Sequence, residues 1–357
     1  ASKEEMEKIV EEALSAQTAW EAMPLYERGE ILYRFADLLE ADAEHISQLS
    51  SQEMAKPIIQ ARGETMDGVK LLRAAVERAK HLYGEVLADN GPGFESDLVF
   101  TRREPLGVIA CIIPFNFPIE LTFQKIAPAL IMGNAVIVKA PSSNPLAVLA
   151  LQKLADEAGI PAGVATFLVC GRDVMTECVT HNPQIAAISM TGSTGAGKQL
   201  TREGADTLKR MFLELGGNDA LLIFDDANLD KALDEMVNSR MENNGQVCCS
   251  SKRFLVQRGI YDTVAARLIE RLKALPHGSA QDEQAMVTAL VSEKAAKEVE
   301  EQIAHTVAQG AELAYGGQRD GARIEPTVLL NVTPQMDIST DMEVFGPVFP
   351  LIPFDTE

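Results

Sequence analysis

The five cysteines form no C-x-x-C pair, and nothing clusters around Cys178 and His181, so neither a disulfide framework nor a zinc site is indicated. A reducing compartment follows as the simpler expectation. Basic residues are scarce: 32 Lys and Arg stand against 52 Asp and Glu, and the formal net charge of -20 repels phosphate backbones and anionic lipid surfaces. No nucleic-acid or membrane partner is expected. Long apolar runs are missing too, since the run over residues 108–113 stops at Pro114, far short of a bilayer span. The opening Ala1-Ser2-Lys3-Glu4-Glu5 is charged, unlike a secretory leader, which makes a cytoplasmic protein the expectation. Internal repeats and low-complexity tracts are absent.

A chain of 357 residues that is 46% hydrophobic can bury a large core, and its length suggests two domains. Residues 3–84 read as helical in at least three segments, with apolar stripes at Met6, Ile9, Val10, Ala13, Ala16 and Trp20, then Ile31, Phe35, Leu38, Leu39 and Ile46, then Val69, Leu72, Val76 and Ala79. Gly91-Pro92-Gly93 marks a turn and residues 98–101 a strand, which predicts a hairpin arm over residues 85–103. From Leu106 short apolar runs alternate with helical stretches: strands near 108–113, 135–139, 166–170, 186–190 and 211–213, helices near 120–131, 145–158, 173–181 and 195–205. Continuously apolar strands in that alternation imply a parallel sheet covered on both faces, which binds ligands beyond the strand C-terminal ends. A second series follows, with strands at 220–224 and 253–256, helices at 229–241 and up to Leu272, an irregular stretch at 276–289 and a helix at 293–307.

Gly245-Gln246-Val247-Cys248-Cys249-Ser250 places two adjacent thiols after a helical pattern. They do not suit a disulfide with each other, because neighbouring Cα atoms are too close for unstrained bridging. Burial as small hydrophobes is the ordinary fate of such residues, yet polar flanks and the Gly-Gln pair suit a displayed nucleophile. Gly192-Ser193-Thr194-Gly195-Ala196-Gly197-Lys198 follows a strand and opens a helix, where backbone N–H groups suit a phosphate. It nearly matches a P-loop, with residues 221–226 mimicking a Walker B strand, but Gln199 occupies the Mg²⁺-binding Ser/Thr position. No G-x-G-x-x-G follows the first strand. Asn116, between Phe115 and Phe117, is a candidate oxyanion donor or a turn residue; Lys139 is a candidate ribose or phosphate contact or a solvated strand end; Glu214 is a candidate general base or a surface carboxylate.

Taken in order, Pro114-Phe115-Asn116-Phe117-Pro118, Lys139, Thr191-Gly192-Ser193-Thr194, Glu214-Leu215-Gly216-Gly217, Gly245-Gln246-Val247-Cys248 and Glu343-Val344-Phe345-Gly346-Pro347 resemble the successive signatures of the NAD(P)-dependent aldehyde dehydrogenase superfamily. The resemblance implies an α/β fold: a Rossmann-like parallel-sheet cofactor domain over residues 1–82 and 105–217, an oligomerisation hairpin over 83–104, and a second α/β catalytic domain over 218–357. It implies Cys248 as nucleophile, Asn116 as oxyanion donor and Glu214 as base, with an aldehyde as substrate. NAD or NADP would be held by Ile112, Pro114, Phe115, Lys139, Ser142, Gly171, Gly192, Ser193, Leu215, Glu343 and Phe345. No metal is implied, and a homodimer or homotetramer is.

Two departures from the family pattern stand out. Ser142 occupies the position where many NAD-preferring members carry a ribose-binding glutamate, so a 2′-phosphate would not be repelled and NADP acceptance is expected. Asn218 replaces a common lysine. Family members also usually continue past the Glu-x-Phe-Gly-Pro motif, so a C-terminally incomplete catalytic domain is expected here, with an exposed edge on the arm. Readings from other classes are a non-catalytic dinucleotide-binding scaffold or inactive form and, behind it, a P-loop nucleotidase.

Overall fold

The computed structural model describes residues 1–87, 91–93 and 96–357. Four helices open the chain: α1 (Lys3–Ala22), α2 (Leu25–Ala41), α3 (Ala43–Met54) and α4 (Ile58–Ala79). α1 starts in a capping box, in which Ser2 accepts from Glu5 N and the Glu5 carboxylate accepts from Ser2 N. The stripe from Ile31 to Ile46, read as one segment, breaks at Asp42; its N–H still bonds back to Leu38 O, so the periodicity carries across a one-residue interruption.

Two compact units make up the chain, one of residues Ala1–Ala43 and Glu64–Glu214, the other of Glu44–Gly63 and Leu215–Glu357. In the first unit the elements are β1 (Val108–Ile112), α5 (Pro118–Ile131), β2 (Ala135–Lys139), α6 (Leu146–Ala158), β3 (Ala165–Leu168), the short α7 (Arg172–Met175) running into a π-helical turn (Thr176–Thr180), β4 (Ile185–Thr191), α8 (Thr194–Gly204) and β5 (Arg210–Glu214). All five strands are parallel, in the order β3-β2-β1-β4-β5. The strand order reverses between β1 and β4, and beyond their C-terminal ends such a sheet leaves a crevice. Val108, Ala110, Ala135, Ile137, Ile185 and Ile188 are all buried against helical residues such as Met6, Val10 and Leu200, so the strands read as unbroken apolar runs.

In the second unit the elements continue as β6 (Asp219–Ile223), α9 (Leu229–Met241), β7 (Ser251–Gln257), α10 (Tyr261–Lys273), α11 (Glu293–Ala308), β8 (Glu312–Tyr315), β9 (Arg319–Asp320), β10 (Arg323–Ile324), β11 (Thr327–Leu330) and β12 (Val348–Phe354). Its main sheet runs β6-β7-β12-β11-β8, with only β8 antiparallel to its neighbour. Strands β8 to β12 escape the periodicity reading. β12 contains Pro350 and Pro353 yet sits between β7 and β11, although proline normally argues against an inner strand.

The arm is present in part. Val86 and Phe100 form an antiparallel bridge, flanked by Leu87 N to Val99 O (3.0 Å) and Thr101 N to Glu85 O (2.8 Å). The strand expected over 98–101 is thus a single bridge, and residues 88–90 and 94–95 of the expected arm lie outside the described residues. Among the described residues no helix is long and apolar enough to cross a membrane, and no group of His, Cys, Asp or Glu could hold a metal.

Candidate active site

The thiol pair follows a bend made by three consecutive left-handed residues, Asn243 (φ 47°), Asn244 (φ 54°) and Gly245 (φ 78°). Asparagine and glycine are the residues that tolerate this conformation. Gly245 meets a second demand: a Cβ there would run into the backbone of Gly346. Side-chain amides lock the bend. Asn244 Nδ2 donates to Thr288 Oγ1 at 2.6 Å while its Oδ1 accepts from Thr288 N at 2.9 Å, and Gln246 bridges Asn243 O (3.0 Å) and Val291 N (3.0 Å). Cys248 emerges half-buried and Cys249 exposed. The other three cysteines are buried, and burial pushes the Cys111 thiol up to about 12. Cys248 itself is raised, first by burial, then by Cys249, with Lys252 opposing.

Two buried cations brace this loop. Arg240, fully buried on α9, donates to Val348 O (2.9 Å), Gly245 O (3.3 Å), Ser250 Oγ (2.9 Å) and Val344 O (2.6 Å), so it ties the cysteine loop to the Glu343-to-Pro347 segment. Desolvation pushes its guanidinium down to about 9. Lys252, 2% exposed on β7, donates to Cys248 O at 2.5 Å and lies 3.2 Å from Glu343 Oε1. Neither cation was legible in the sequence, because a lone Arg on a helix and a Lys in a strand look like solvated faces.

The glycines of Glu214-Leu215-Gly216-Gly217 have a spatial reason. Gly217 N donates to Glu343 Oε1 at 3.2 Å, and a Cβ on Gly217 would stand 3.2 Å from Cys248 O. A Cβ on Gly216 would collide with the Glu343 carboxylate. Asn218 donates to Ile338 O and Thr340 O, both at 3.0 Å, and its own carbonyl accepts from Arg253 Nε at 2.7 Å, which fastens the segment that leads to Glu343. Leu215, Glu343 and Phe345 are each half-buried.

In the first unit, Ile112, Lys139, Ser142 and Gly171 line one cavity of about 280 Å³, with Cys170, Arg172, Met190 and Leu200. It opens beyond the ends of β1, β2 and β4, where a doubly wound sheet binds its ligand. Gly192 and Ser193 follow β4, and Ser193 Oγ caps α8 by accepting from Ala196 N at 3.3 Å. That helix start offers N–H groups to a phosphate, and Lys139 a charge to a ribose or phosphate, so these residues fit a dinucleotide. Pro114 and Phe115 are half-buried and lead into the turn that carries Asn116.

Asn116 is 3% exposed, just ahead of α5. Two residues hold the turn: Asn144 Nδ2 donates to Phe115 O (2.8 Å), and the buried Glu64 carboxylate accepts from Ile119 N (2.7 Å) and Glu120 N (3.3 Å) at the helix start. Glu64 lies more than fifty residues upstream, and no local motif announces it. Glu214 ends β5, exposed, and lines a separate cavity of about 500 Å³ with Lys125 and Phe212; Lys125 Nζ donates to Thr191 Oγ1 at 2.5 Å.

The P-loop reading does not survive the topology. The glycine-rich turn follows β4, whereas the strand residues of 221–226 lie in β6, which ends at Ile223 and belongs to the other sheet, so the two phosphate-site strands are not neighbours. Lys198 is exposed on α8.

The family model described as "Aldehyde dehydrogenase family" matches residues 1–357. A 3-sulfolactaldehyde dehydrogenase of Pseudomonas putida is 37% identical over 356 residues, 99% of this chain and 72% of that protein. A succinate-semialdehyde dehydrogenase [NADP(+)] of Escherichia coli K12 is 35% identical over 358 residues, 99% of this chain and 73% of that protein. Among solved structures, the NAD⁺ complex of an aldehyde dehydrogenase from Bacillus cereus superposes with a TM-score of 0.95 at 32% identity, covering 100% of this chain and 73% of that one.

Proposed function

The chain belongs to the aldehyde dehydrogenase family, and from that premise we propose that its NAD(P)-dependent aldehyde oxidation runs through covalent catalysis at Cys248. The observation that carries this reading is the locked bend at Asn243-Asn244-Gly245, which displays one half-buried thiol while Lys252 pins its carbonyl.

Cys248 Sγ, as thiolate, adds to the aldehyde carbonyl carbon, and the oxygen becomes an oxyanion that accepts from the Asn116 amide and the Cys248 N–H. Oxidation of this adduct to a thioester needs a hydride acceptor, which a bound dinucleotide would supply. Glu214 then removes a proton from the water that attacks the thioester carbon; the C–S bond breaks, a carboxylic acid leaves and the thiolate returns. Glu343, Leu215 and Phe345 would hold the nicotinamide ribose and ring, with the Glu343 carboxylate as acceptor for ribose hydroxyls; Ile112, Pro114, Phe115, Lys139, Ser142, Gly171, Gly192 and Ser193 would hold the adenosine and phosphate end.

Ser142 puts no carboxylate at its own place in the cavity lining, and Lys139 and Arg172 there outnumber the one lining carboxylate, Glu203, so the proposal extends to NADP as an accepted cofactor. The arm, with Tyr83, Val86, Leu98 and Phe100 exposed, is proposed to mediate self-association. The test is a panel of aldehydes (a semialdehyde, a hydroxyaldehyde, an aliphatic one) with NAD and with NADP, run beside Cys248→Ala. Turnover in the wild type and none in the variant is expected; turnover that survives the substitution refutes the nucleophile. A kcat/KM strongly favouring NAD refutes the NADP extension.

A further inference from the structure

Glu343 does not stand free in the second unit. Its Oε1 takes Gly217 N at 3.2 Å and the Lys252 ammonium at 3.2 Å, whereas among the described residues no group donates to Oε2. The side chain keeps 27% of its surface exposed against 1% for that of Lys252. One oxygen is thus consumed by the protein and the other is left to accept from a ligand. The same ammonium donates to the carbonyl of Cys248 at 2.5 Å. A lysine has three donors on one point charge and no acceptor, so it can serve a carbonyl and a carboxylate at once. Methionine, neutral and of similar length, has no donor and would serve neither.

We propose that Lys252 is a positioning residue for the oxidation: its buried ammonium holds the Cys248 loop and the Glu343 carboxylate in a single register, leaving Glu343 Oε2 for the cofactor ribose. This rests on the roles proposed above for Cys248 and Glu343. A simple packing role would leave the two segments independent. In the arrangement observed, loss of the ammonium frees Glu343 to swing off Gly217 and removes the positive charge nearest the Cys248 backbone. Around Lys252, Glu343 and Asp219 favour its charge, whereas Arg240 and its own burial oppose it. Those opposing influences make the site costly to build for packing alone.

The test uses the full chain with Lys252→Met, Lys252→Gln, Glu343→Gln and the Lys252→Met/Glu343→Gln double variant. KM for the dinucleotide is expected to rise at least tenfold in Lys252→Met, with KM for the aldehyde within about twofold of wild type. The double variant is expected to be no worse than Glu343→Gln alone, since the lysine acts through the glutamate. Iodoacetamide alkylation of Cys248, followed by peptide mass at pH 8 without cofactor or aldehyde, is expected to slow at least threefold. Independent, multiplying effects in the double variant, or a dinucleotide KM within twofold of wild type in Lys252→Met, overturn the proposal. If Lys252→Met does not fold, Lys252→Gln, which keeps a donor for Cys248 O but no charge, must show the same rise in dinucleotide KM; if it does not, the proposal falls. The alkylation arm separates the two readings. A wild type that turns over no aldehyde defeats the function proposed above, whereas an alkylation rate unchanged by Lys252→Met defeats the role of Lys252.

Discussion

Gly216 and Glu343 share one space: the carboxylate lies where a side chain at position 216 would begin. Gly216 is not in the left-handed region, so its lack of a Cβ serves this close approach and not a turn. Gly216→Ala is therefore expected to push Glu343 off Gly217 N and raise KM for the dinucleotide about tenfold or more. Because the displaced group is the far end of a flexible side chain, the loss of stability should stay within about 1 kcal/mol. Steady-state kinetics beside urea denaturation would separate the two, and a stability loss with unchanged KM would contradict the assignment.

Arg240 offers the opposite case, a residue whose removal should cost stability before chemistry. It is fully buried, and its four hydrogen bonds reach three backbone carbonyls and the Ser250 hydroxyl. Arg240→Met leaves those acceptors buried without donors, at a cost of about 3 kcal/mol or more. A urea midpoint within experimental error of wild type would show that the brace carries no energy.

The proposed division of labour between Cys248 and Glu214 is separable in time. Glu214→Gln keeps the attack on the aldehyde but removes the base for thioester hydrolysis, so kcat should fall about 10²- to 10⁴-fold. Rapid-mixing experiments should still show a burst of reduced dinucleotide, followed by slow turnover. Loss of the burst together with the steady state would assign Glu214 to the first half of the reaction instead.

The thiol of Cys248 lies above its ordinary value, because burial and Cys249 outweigh the pull of Lys252. A raised thiol carries less thiolate at any given pH, so alkylation of the free protein should be slow at pH 7 and climb about tenfold per unit. It should not have levelled off at the pH where an ordinary thiol does. An early plateau, near or below neutrality, would mean that some other group activates Cys248 in the free protein.

Sequence by itself determined what is local. The asparagines and glycine of Asn243-Asn244-Gly245 announce a bend because few other residues accept that backbone, and the apolar strands of the first unit announce a sheet buried on both faces. Motif order was enough to expect the family. Tertiary structure alone decided which distant residues serve those motifs. Glu64 caps the helix behind Asn116 from 55 residues away, and Arg240 reaches Val348 across 108. Strand β12 forms through two prolines because β7 and β11 flank it, and that pairing outweighs a local preference against strand. Lys252 reads in the chain as one more strand cation, and only the fold, by burying it between a carbonyl and a carboxylate, turns its charge into a positional constraint. Local propensity sees neighbours within a few residues; these contacts close loops of tens to a hundred, and only the packed chain specifies them.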